Sequence, residues 1–526
     1  MPSPYAFLLT VQRHTVPTAD LLLYGGRILT LSLTRPTAEA IVIADGKILA
    51  IGRERDLRVL SSPRTQEISC AGRTVIPSFI DPHLHLFAWA SRLCGVDVTT
   101  ARSIGDTQSL LTDRLPHFAP GEWLRGYGYD EFFLSEKRHP TRVDLDTVTI
   151  NHPIILRHRT GHAAVLNSAA LQQAGIDRSF TPPAGGIVER DPATHEPTGV
   201  VYELEKFLRT VIPPLPDNEF MAAVRQASNE LLRHGVTSFH DASAGNTLED
   251  FALFRRLRDN GLLLSRATVM IGSDSFSELV AAQLPPFAGD DQVRLGSVKI
   301  MLHEGGGEVY PLLDELNEIV WQAHRHGFQV ALHAVEEGPI CAALEAIATA
   351  LQRQPRPDHR HRIEHCALCP PPFVEKLLKT GTAVVTQPGF LHFYGEKYRA
   401  EIAPELHDWL YRTKSLLTAG VPVAGSSDCP IAPLSPLVSL QTAMTRKTQA
   451  GNILNPQEQL TLNDALTLFT SAGAWLSFEE SHRGKIMPGM VADLAVLDGD
   501  LIKTPTEEIS KLKVGMTIVG GHVSSF

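Results

Sequence analysis

The sequence has few cysteines, no long apolar run and no block of positive charge. Six cysteines among 526 residues are too few for the disulfide framework of a small secreted protein, so we expect reduced thiols, including the C-x-x-C pair Cys366 and Cys369. No stretch of about 18 uncharged apolar residues occurs, which predicts that no helix spans a membrane. A net charge of −10 without lysine or arginine clusters argues against nucleic acid as a partner.

The N-terminal segment MPSPYAFLLTVQRHTVPTA has no basic residue before its short apolar run. A signal peptide is therefore not expected, and the expected location is the cytoplasm. We expect neither a membrane nor a nucleic acid as partner. The composition leaves the oligomeric state open, with a homodimer as one option.

Both ends of the chain carry short β-rich runs separated by turn residues. Asp45-Gly46 lies between two apolar runs near the N-terminus, which is a strong hairpin signal. Gly520-Gly521 has the same position between runs near the C-terminus. We predict one small β-sandwich domain formed by residues 1–75 together with 481–526.

The middle of the chain alternates strand-like apolar runs with helix-like segments. This alternation predicts an α/β fold with parallel strands, and eight runs predict a (β/α)8 barrel of the TIM type over residues 76–480. The interval between the first two runs is too long for a crossover, so we predict an insertion at about 97–220. The eight runs are TVIPSFI, GVTSFHD, SRATVMI, SVKIML, FQVALHAV, HRIEHC, TAVVTQ and VPVAGSSD.

Two histidines, His83 and His85, follow the first of these runs in the stretch FIDPHLHLF. Residues i and i+2 of an extended chain point to the same side, so both imidazoles can reach one metal ion. The alternative is two polar residues at the point where a strand leaves the core. The H-x-H pattern alone does not decide between them.

Ionisable residues recur at or near the ends of other predicted strands. In a (β/α)8 barrel the C-terminal ends of the strands form the active-site face. Imidazoles and a carboxylate that converge there suit zinc or a similar divalent ion. The pattern therefore predicts a metal centre formed by His83, His85, Lys299, His333, His365 and Asp428.

Lys299 lies within the apolar run SVKIML, where a buried cation is costly. One interpretation is an ion pair with a carboxylate of the barrel. The other is chemical, because burial disfavours the charged form of lysine. A neutral lysine can react with CO2 to give a carbamate, an anionic oxygen ligand that can bridge two metal ions.

The ligand pattern and several longer motifs resemble the amidohydrolase superfamily over nearly the whole chain. GKILAIG and PGMVADLAVLD carry the resemblance at the two ends. HRTGHAAVLNSAAL, GGIVERDPATHEPTGVVYE, HRIEHC and GSSDCP resemble amidohydrolase family 3, which includes N-substituted formamide deformylase and YtcJ-like metal-dependent hydrolases.

The resemblance implies two divalent metal ions, zinc first, with manganese or iron as alternatives, and a CO2-derived carbamate on Lys299. It also implies that Asp428 is the catalytic base. By the same resemblance, the first ion is bound by His83, His85 and Asp428, the second by His333 and His365, and carboxylated Lys299 bridges them.

Four further residues are predicted to face the substrate. His162 lies in the insertion, where the alternative is a loop before a helix. His240 and Asp241 end the second strand run at the same C-terminal face, where we expect them to line the pocket or support the ligands, with direct metal binding as the alternative. Glu304 follows the fourth run, where it could serve as a spare ligand, and Gln387 follows the seventh.

Two other features of the sequence bear on these predictions. His359 and His361 precede the sixth run at its opposite end, and we expect both at the surface. The segment MLHEGGG departs from the Phe-x-Asp-Gly that relatives often carry after the lysine. The substrate of the deformylase is therefore not transferred to this protein.

We expect a metal-dependent hydrolase that cleaves a C–N bond, in an amide or an N-acyl or N-formyl group, through a metal-bridging hydroxide. The substrate would be a small molecule. One alternative is a mononuclear deaminase of the same superfamily, which needs no carbamate, and Lys299 argues against it. The other is a catalytically inactive barrel with an assembly or signalling role, against which the full ligand set argues.

Overall fold

The computed structural model describes residues 18–119, 121–183, 185–305 and 307–526. Its largest sheet has eight parallel strands, and strands that follow each other in the chain are neighbours in the sheet. This order is that of a TIM barrel. The strands are β1 Phe79–Leu84, β2 Val236–Asp241, β3 Arg266–Gly272, β4 Val293–Met301, β5 Val330–Ala334, β6 Arg362–His365, β7 Ala383–Thr386 and β8 Val423–Gly425.

The segment after β8 meets the end of β1. The amide of Asp428 donates to the carbonyl of His83 at 2.9 Å. The buried carboxylate of Asp81 accepts from the amide of His83 at 3.1 Å and from the amide of Ser427 at 3.2 Å. The first and last strands are thus joined at their C-terminal ends, and the predicted TIM-type barrel is confirmed.

Helices cover the outside of the barrel and bury apolar faces against it. Glu337–Arg353 buries Ile340, Leu344 and Ile347, which have the spacing of one helix face. Among the described residues, no helix is both long and apolar enough to cross a membrane. The main helices from β1 onward are Leu86–Leu93, Asp217–Arg233, Leu248–Asp259, Phe276–Ala281, Leu313–Arg325, Glu337–Arg353, Pro371–Thr380, Gly389–Glu401, Lys414–Ala419, Pro436–Thr445, Leu462–Leu468 and Ser471–Leu476.

Between β1 and β2 the chain forms a second sheet of six strands. Its buried side chains, among them Leu124, Ile154 and Val165, form a hydrophobic cluster separate from that of the barrel. Short helices at Ile104–Thr112, Arg142–Asp146, Ser168–Ala174 and Glu205–Val211 accompany it. The strand order is Ile187–Arg190, Pro197–Tyr202, Ala163–Leu166, Ile154–His158, Leu124–Tyr129 and Val96–Asp97.

Strands from both ends of the described chain share another six-stranded sheet. A four-stranded sheet lies next to it, and Leu23 of the smaller sheet belongs to the same hydrophobic cluster as Val496 of the larger one. The larger sheet has the order His522–Ser525, Val514–Val519, Leu494–Leu497, Thr74–Pro77, Arg27–Leu29 and Thr37–Ala38, and the smaller has Lys47–Gly52, Ala40–Ala44, Leu21–Tyr24 and Gln66–Ser69.

The run TVIPSFI is divided between two sheets, although the sequence analysis treats it as one barrel strand. Thr74–Pro77 pairs with Leu494–Leu497 in the terminal sheet, and the barrel strand begins at Phe79. The chain passes from the terminal sheet to the barrel at Ser78, whose amide donates to the carbonyl of Asp493 at 3.1 Å. The side chains of this run are buried in both sheets, so its hydrophobic pattern contains no signal of the change.

His359 and His361 are buried, so the prediction that they lie at the surface was wrong. They are 3% and 0% exposed. His361 Nε2 lies 2.8 Å from His324 Nδ1, and His361 Nδ1 accepts from the amide of Val330 at 3.1 Å. His324 belongs to the helix Leu313–Arg325. The burial of His361 therefore depends on a tertiary contact that the sequence around His359 and His361 does not indicate.

Candidate metal centre

The histidines and the aspartate predicted as ligands lie together at the C-terminal end of the barrel. The ring centroids of His83 and His365 are 5.0 Å apart, and those of His333 and His365 are 4.5 Å apart. Asp428 Oδ1 lies 3.4 Å from His83 Nε2 and 3.1 Å from His85 Nε2. Ligand atoms of His83, His365 and Asp428 all lie within 4.8 Å of one another.

Two of these side chains reach the centre from a left-handed backbone. In a regular strand, consecutive side chains point to opposite faces, yet Glu364 and His365 both lie against His83. The chain turns at His365, where φ is 72°, and Asp428 has a φ of 56°. This conformation is uncommon for residues other than glycine and is concentrated at functional sites.

The buried environment favours the protonation states that bind metal. Burial, together with nearby positive charge such as Lys299, holds the pKa values of His83 and His333 well below the usual range. Burial by itself would raise the pKa of Asp428, but His83 and His85 outweigh it and hold that pKa below its usual value. Neutral imidazole and ionised carboxylate are the ligand forms for divalent ions.

Lys299 is enclosed in the barrel beside this cluster. It is 2% exposed, and within the described part of the chain its Nζ has no hydrogen-bond partner. Burial lowers the pKa of Lys299 to about 8. A lysine that serves as a structural ion pair needs a partner for its amine. An unpaired buried amine with a lowered pKa is instead suited to carbamate formation.

Three of the histidines have Nδ1 occupied by a protein oxygen. This leaves Nε2 available to a metal ion and fixes the orientation of each ring. The contacts are His83 Nδ1 to Glu364 Oε2 at 2.5 Å, His85 Nδ1 to Ser243 Oγ at 3.1 Å and His365 Nδ1 to Gln387 Oε1 at 2.8 Å.

Glu364, Ser243 and Asp81 were not identified from the sequence. Glu364 has a visible signal, because it is a carboxylate inside the apolar run HRIEHC directly before His365. Asp81 has a weaker signal in the stretch FIDPHLH. Ser243 has none that we can name, since a serine in a loop after a strand is common.

The four residues predicted to face the substrate occupy different environments. Gln387 is 0% exposed and lies between His365 and Ser426. His240 is buried deeper in the barrel, with Nδ1 3.0 Å from Arg362 Nη1. Glu304 is exposed on a hairpin formed by His303–Gly305 and Glu308–Tyr310. His162 is partly exposed, and its ring centroid is 6.0 Å from that of His333.

An eight-stranded parallel barrel with imidazoles, a carboxylate and a buried lysine at its C-terminal face defines a class of metal-dependent hydrolases. The sequence matches the amidohydrolase family over residues 66–524. The chain belongs to this family, and it is a metal-dependent hydrolase that acts on carbon–nitrogen bonds.

Individual relatives cover nearly the whole chain. It is 27% identical to the putative amidohydrolase YtcJ of Bacillus subtilis over 95% of this chain and 98% of the relative. It is 29% identical to the N-substituted formamide deformylase of Arthrobacter pascens over 95% of this chain and 97% of the relative. A crystal structure of an uncharacterized metal-dependent hydrolase from Pyrococcus horikoshii has the same fold, with a TM-score of 0.74, 24% identity, and coverage of 92% of this chain and 99% of that one.

Proposed function

We propose that the protein hydrolyses an amide, N-acyl or N-formyl bond of a small molecule at a centre that holds two divalent metal ions. The observation that carries the proposal is the buried amine of Lys299, which has no hydrogen-bond partner among the described residues and lies beside the predicted histidine and aspartate ligands. A mononuclear deaminase has no need of a lysine at this position. The similarity to N-substituted formamide deformylase supports hydrolysis of an acyl–nitrogen bond.

The donor set fits two ions, with zinc first and manganese or iron as alternatives. When bound, the ions lower the pKa of a water molecule and polarise the substrate carbonyl. Carboxylation of Lys299 would add anionic oxygens between two groups of ligands. His83, His85 and Asp428 would hold the first ion, and His333 and His365 would hold the second.

Asp428 is the proposed proton carrier of the reaction. Its carboxylate lies between the rings of His83 and His85 and is held ionised by them. It takes a proton from the attacking water and delivers it to the leaving nitrogen. The nitrogen then departs as a neutral amine, while the acyl carbon retains the new oxygen as a carboxylic acid.

The remaining parts of the proposal concern the surroundings of the centre. The insertion at about 97–220 would shape the substrate pocket, because it contains His162 and active-site loops of TIM barrels set specificity. Of the predicted β-sandwich domain, residues 1–17 lie outside the described residues; residues 18–75 and 481–526 would form one domain, which the shared sheet of Thr74–Pro77 and Leu494–Leu497 supports. We also propose a cytoplasmic location for the protein and a homodimer as its assembly.

Metal analysis combined with a substrate screen tests this function. We expect protein prepared with bicarbonate to contain close to two metal equivalents, and His333→Ala or His365→Ala to remove mainly the second. Zinc- and manganese-loaded protein is then assayed on N-acyl, N-formyl, cyclic amide, ester and aminopurine substrates. One equivalent or less, with activity on the aminopurines, would favour the deaminase. Two equivalents without turnover of any compound would favour the inactive barrel.

A further inference from the structure

Beneath the metal centre lies a pair of buried charged side chains. Arg362 and Glu364 are both 0% exposed and both belong to β6. Arg362 Nε lies 2.6 Å from Glu364 Oε1. Burying two charges is expensive, and a pair of this kind often adds nothing to stability compared with apolar residues. Their presence therefore points to a role beyond stability.

The second oxygen of Glu364 contacts a predicted metal ligand. Glu364 Oε2 lies 2.5 Å from His83 Nδ1. An ionised carboxylate only accepts hydrogen bonds, so His83 must carry its proton on Nδ1. The lone pair is then on Nε2, the nitrogen that lies 3.4 Å from Asp428 Oδ1. Glu364 thus sets both the tautomer and the orientation of the ring.

Arg362, which pairs with Glu364, also contacts two other strands of the barrel. Its Nη2 donates to the carbonyl of Pro82 at 3.0 Å, directly before His83 in β1. Its Nη1 lies 3.0 Å from His240 Nδ1 in β2. Because guanidinium is donor-only, His240 must accept with Nδ1. The guanidinium is therefore fixed to β1 and β2 while it neutralises a carboxylate on β6.

We propose that Glu364 is a positioning residue for the first metal ion, acting through His83, and that Arg362 fixes its carboxylate. The inference rests on the metal centre of the proposed function. A carboxylate behind a metal-binding imidazole orients the ring and increases its basicity, and loss of such a partner typically lowers metal affinity by about 10- to 100-fold. It also gives His240, whose Nδ1 contacts Arg362, a role in the barrel interior.

Glu364→Gln is the direct test, because it removes the negative charge paired with Arg362 and leaves a single acceptor oxygen for His83 Nδ1. If the amide oxygen faces His83, the amide NH2 lies against the guanidinium, which can only donate as well. The matched control is Glu479→Gln. Glu479 is 8% exposed, lies 3.2 Å from both Arg294 Nη1 and Arg483 Nη2, and belongs to the same chemical class of buried, arginine-paired carboxylates.

The measurement is the affinity of the full-length, metal-stripped protein for Zn2+ and Co2+ in competition with a chromophoric chelator, alongside thermal unfolding without metal. We expect Glu364→Gln to bind the first ion about 10- to 100-fold more weakly than wild type and to alter the visible spectrum of bound Co2+. Glu479→Gln should lower the unfolding temperature and leave metal affinity unchanged. Glu364→Asp, which keeps the charge but withdraws the oxygens by one methylene, should also weaken binding, and it replaces Glu364→Gln if that variant does not fold.

The outcomes separate this inference from the proposed function. If the folded Glu364 variants bind Zn2+ and Co2+ with wild-type affinity, the positioning role is overturned. The proposed metal centre is not contradicted by that result. An equal loss of affinity in Glu479→Gln would also overturn the positioning role, because the effect would then be structural. Wild-type protein that binds no metal would instead refute the proposed function.

Discussion

His162 and Glu203 form a hydrogen-bonded pair in the segment between β1 and β2, with Nδ1 of the histidine 2.7 Å from Oε1 of the glutamate. The two residues are brought together by the pairing of Ala163 with Tyr202 in adjacent antiparallel strands. The bond to Glu203 raises the pKa of His162. The pair therefore presents a polar ring towards the side of the centre where His333 lies.

We predict that His162→Ala lowers kcat/KM by about 10- to 100-fold, the effect of losing one hydrogen bond that involves a charged group. Metal content should stay at the wild-type level, since His162 is not among the predicted ligands. His195→Ala is the control, because His195 is an exposed histidine of the same segment between β1 and β2. Unchanged kinetics in His162→Ala would show that the ring does not contact the substrate.

Asp428→Asn tests the proposed role of Asp428 as the proton carrier. The amide can still occupy the space between His83 and His85, so much of the metal should remain bound. It cannot accept a proton from water, and kcat should fall by at least about 10²- to 10⁴-fold. Metal content by elemental analysis and turnover of a substrate identified in the screen are measured on the same preparation. Near-full activity would rule out Asp428 as the base.

The barrel and the clustering of the predicted ligands could be predicted because each depends on a local pattern. A parallel strand buried on both faces is a continuous apolar run, and eight such runs alternate with helical segments. The C-terminal ends of such strands always meet at one face. His83, His333 and Asp428 could therefore be expected together although they are far apart in the chain.

The contacts that hold these predicted ligands in place could not be predicted in the same way. Glu364 lies beside His365 in the sequence, yet its partner is His83 on a different strand. The position of His365 beside His83 depends on the left-handed backbone at His365 itself, which no residue type in HRIEHC requires. The burial of His361 could not be predicted for a similar reason. It depends on the contact with His324, which lies on a helix packed against the barrel.

The histidine contacts at the N-terminal end of the barrel predict a pH dependence of stability. Burial lowers the pKa values of His361 and His324. In the unfolded chain both imidazoles have a pKa of about 6.5. At acidic pH the unfolded state therefore binds protons that the folded state does not. Stability from these groups is present above about pH 6.5 and is lost as the pH falls below it.

We expect the free energy of unfolding of metal-free protein, measured with urea, to decrease between pH 7.5 and 5.5. The slope should be up to about 1.4 kcal/mol per pH unit for each histidine kept neutral. In His361→Gln, which retains a donor and an acceptor but does not titrate, the slope should be smaller. An equal slope in this variant would show that His361 does not contribute.

Lys299→Ala distinguishes a carbamate from an ordinary buried lysine. If Lys299 is carboxylated, the substitution removes a negative charge between two cations. Without that charge the cations repel each other strongly in a site shielded from water. Metal content and activity should then fall together, and a small carboxylic acid such as acetate or propionate should partly restore both by filling the vacated space. Lys414→Ala, which alters an exposed lysine, should change neither. Full metal content in Lys299→Ala without any response to added acid would contradict the carbamate, because an unmodified lysine contributes no ligand oxygen whose loss the acid could replace.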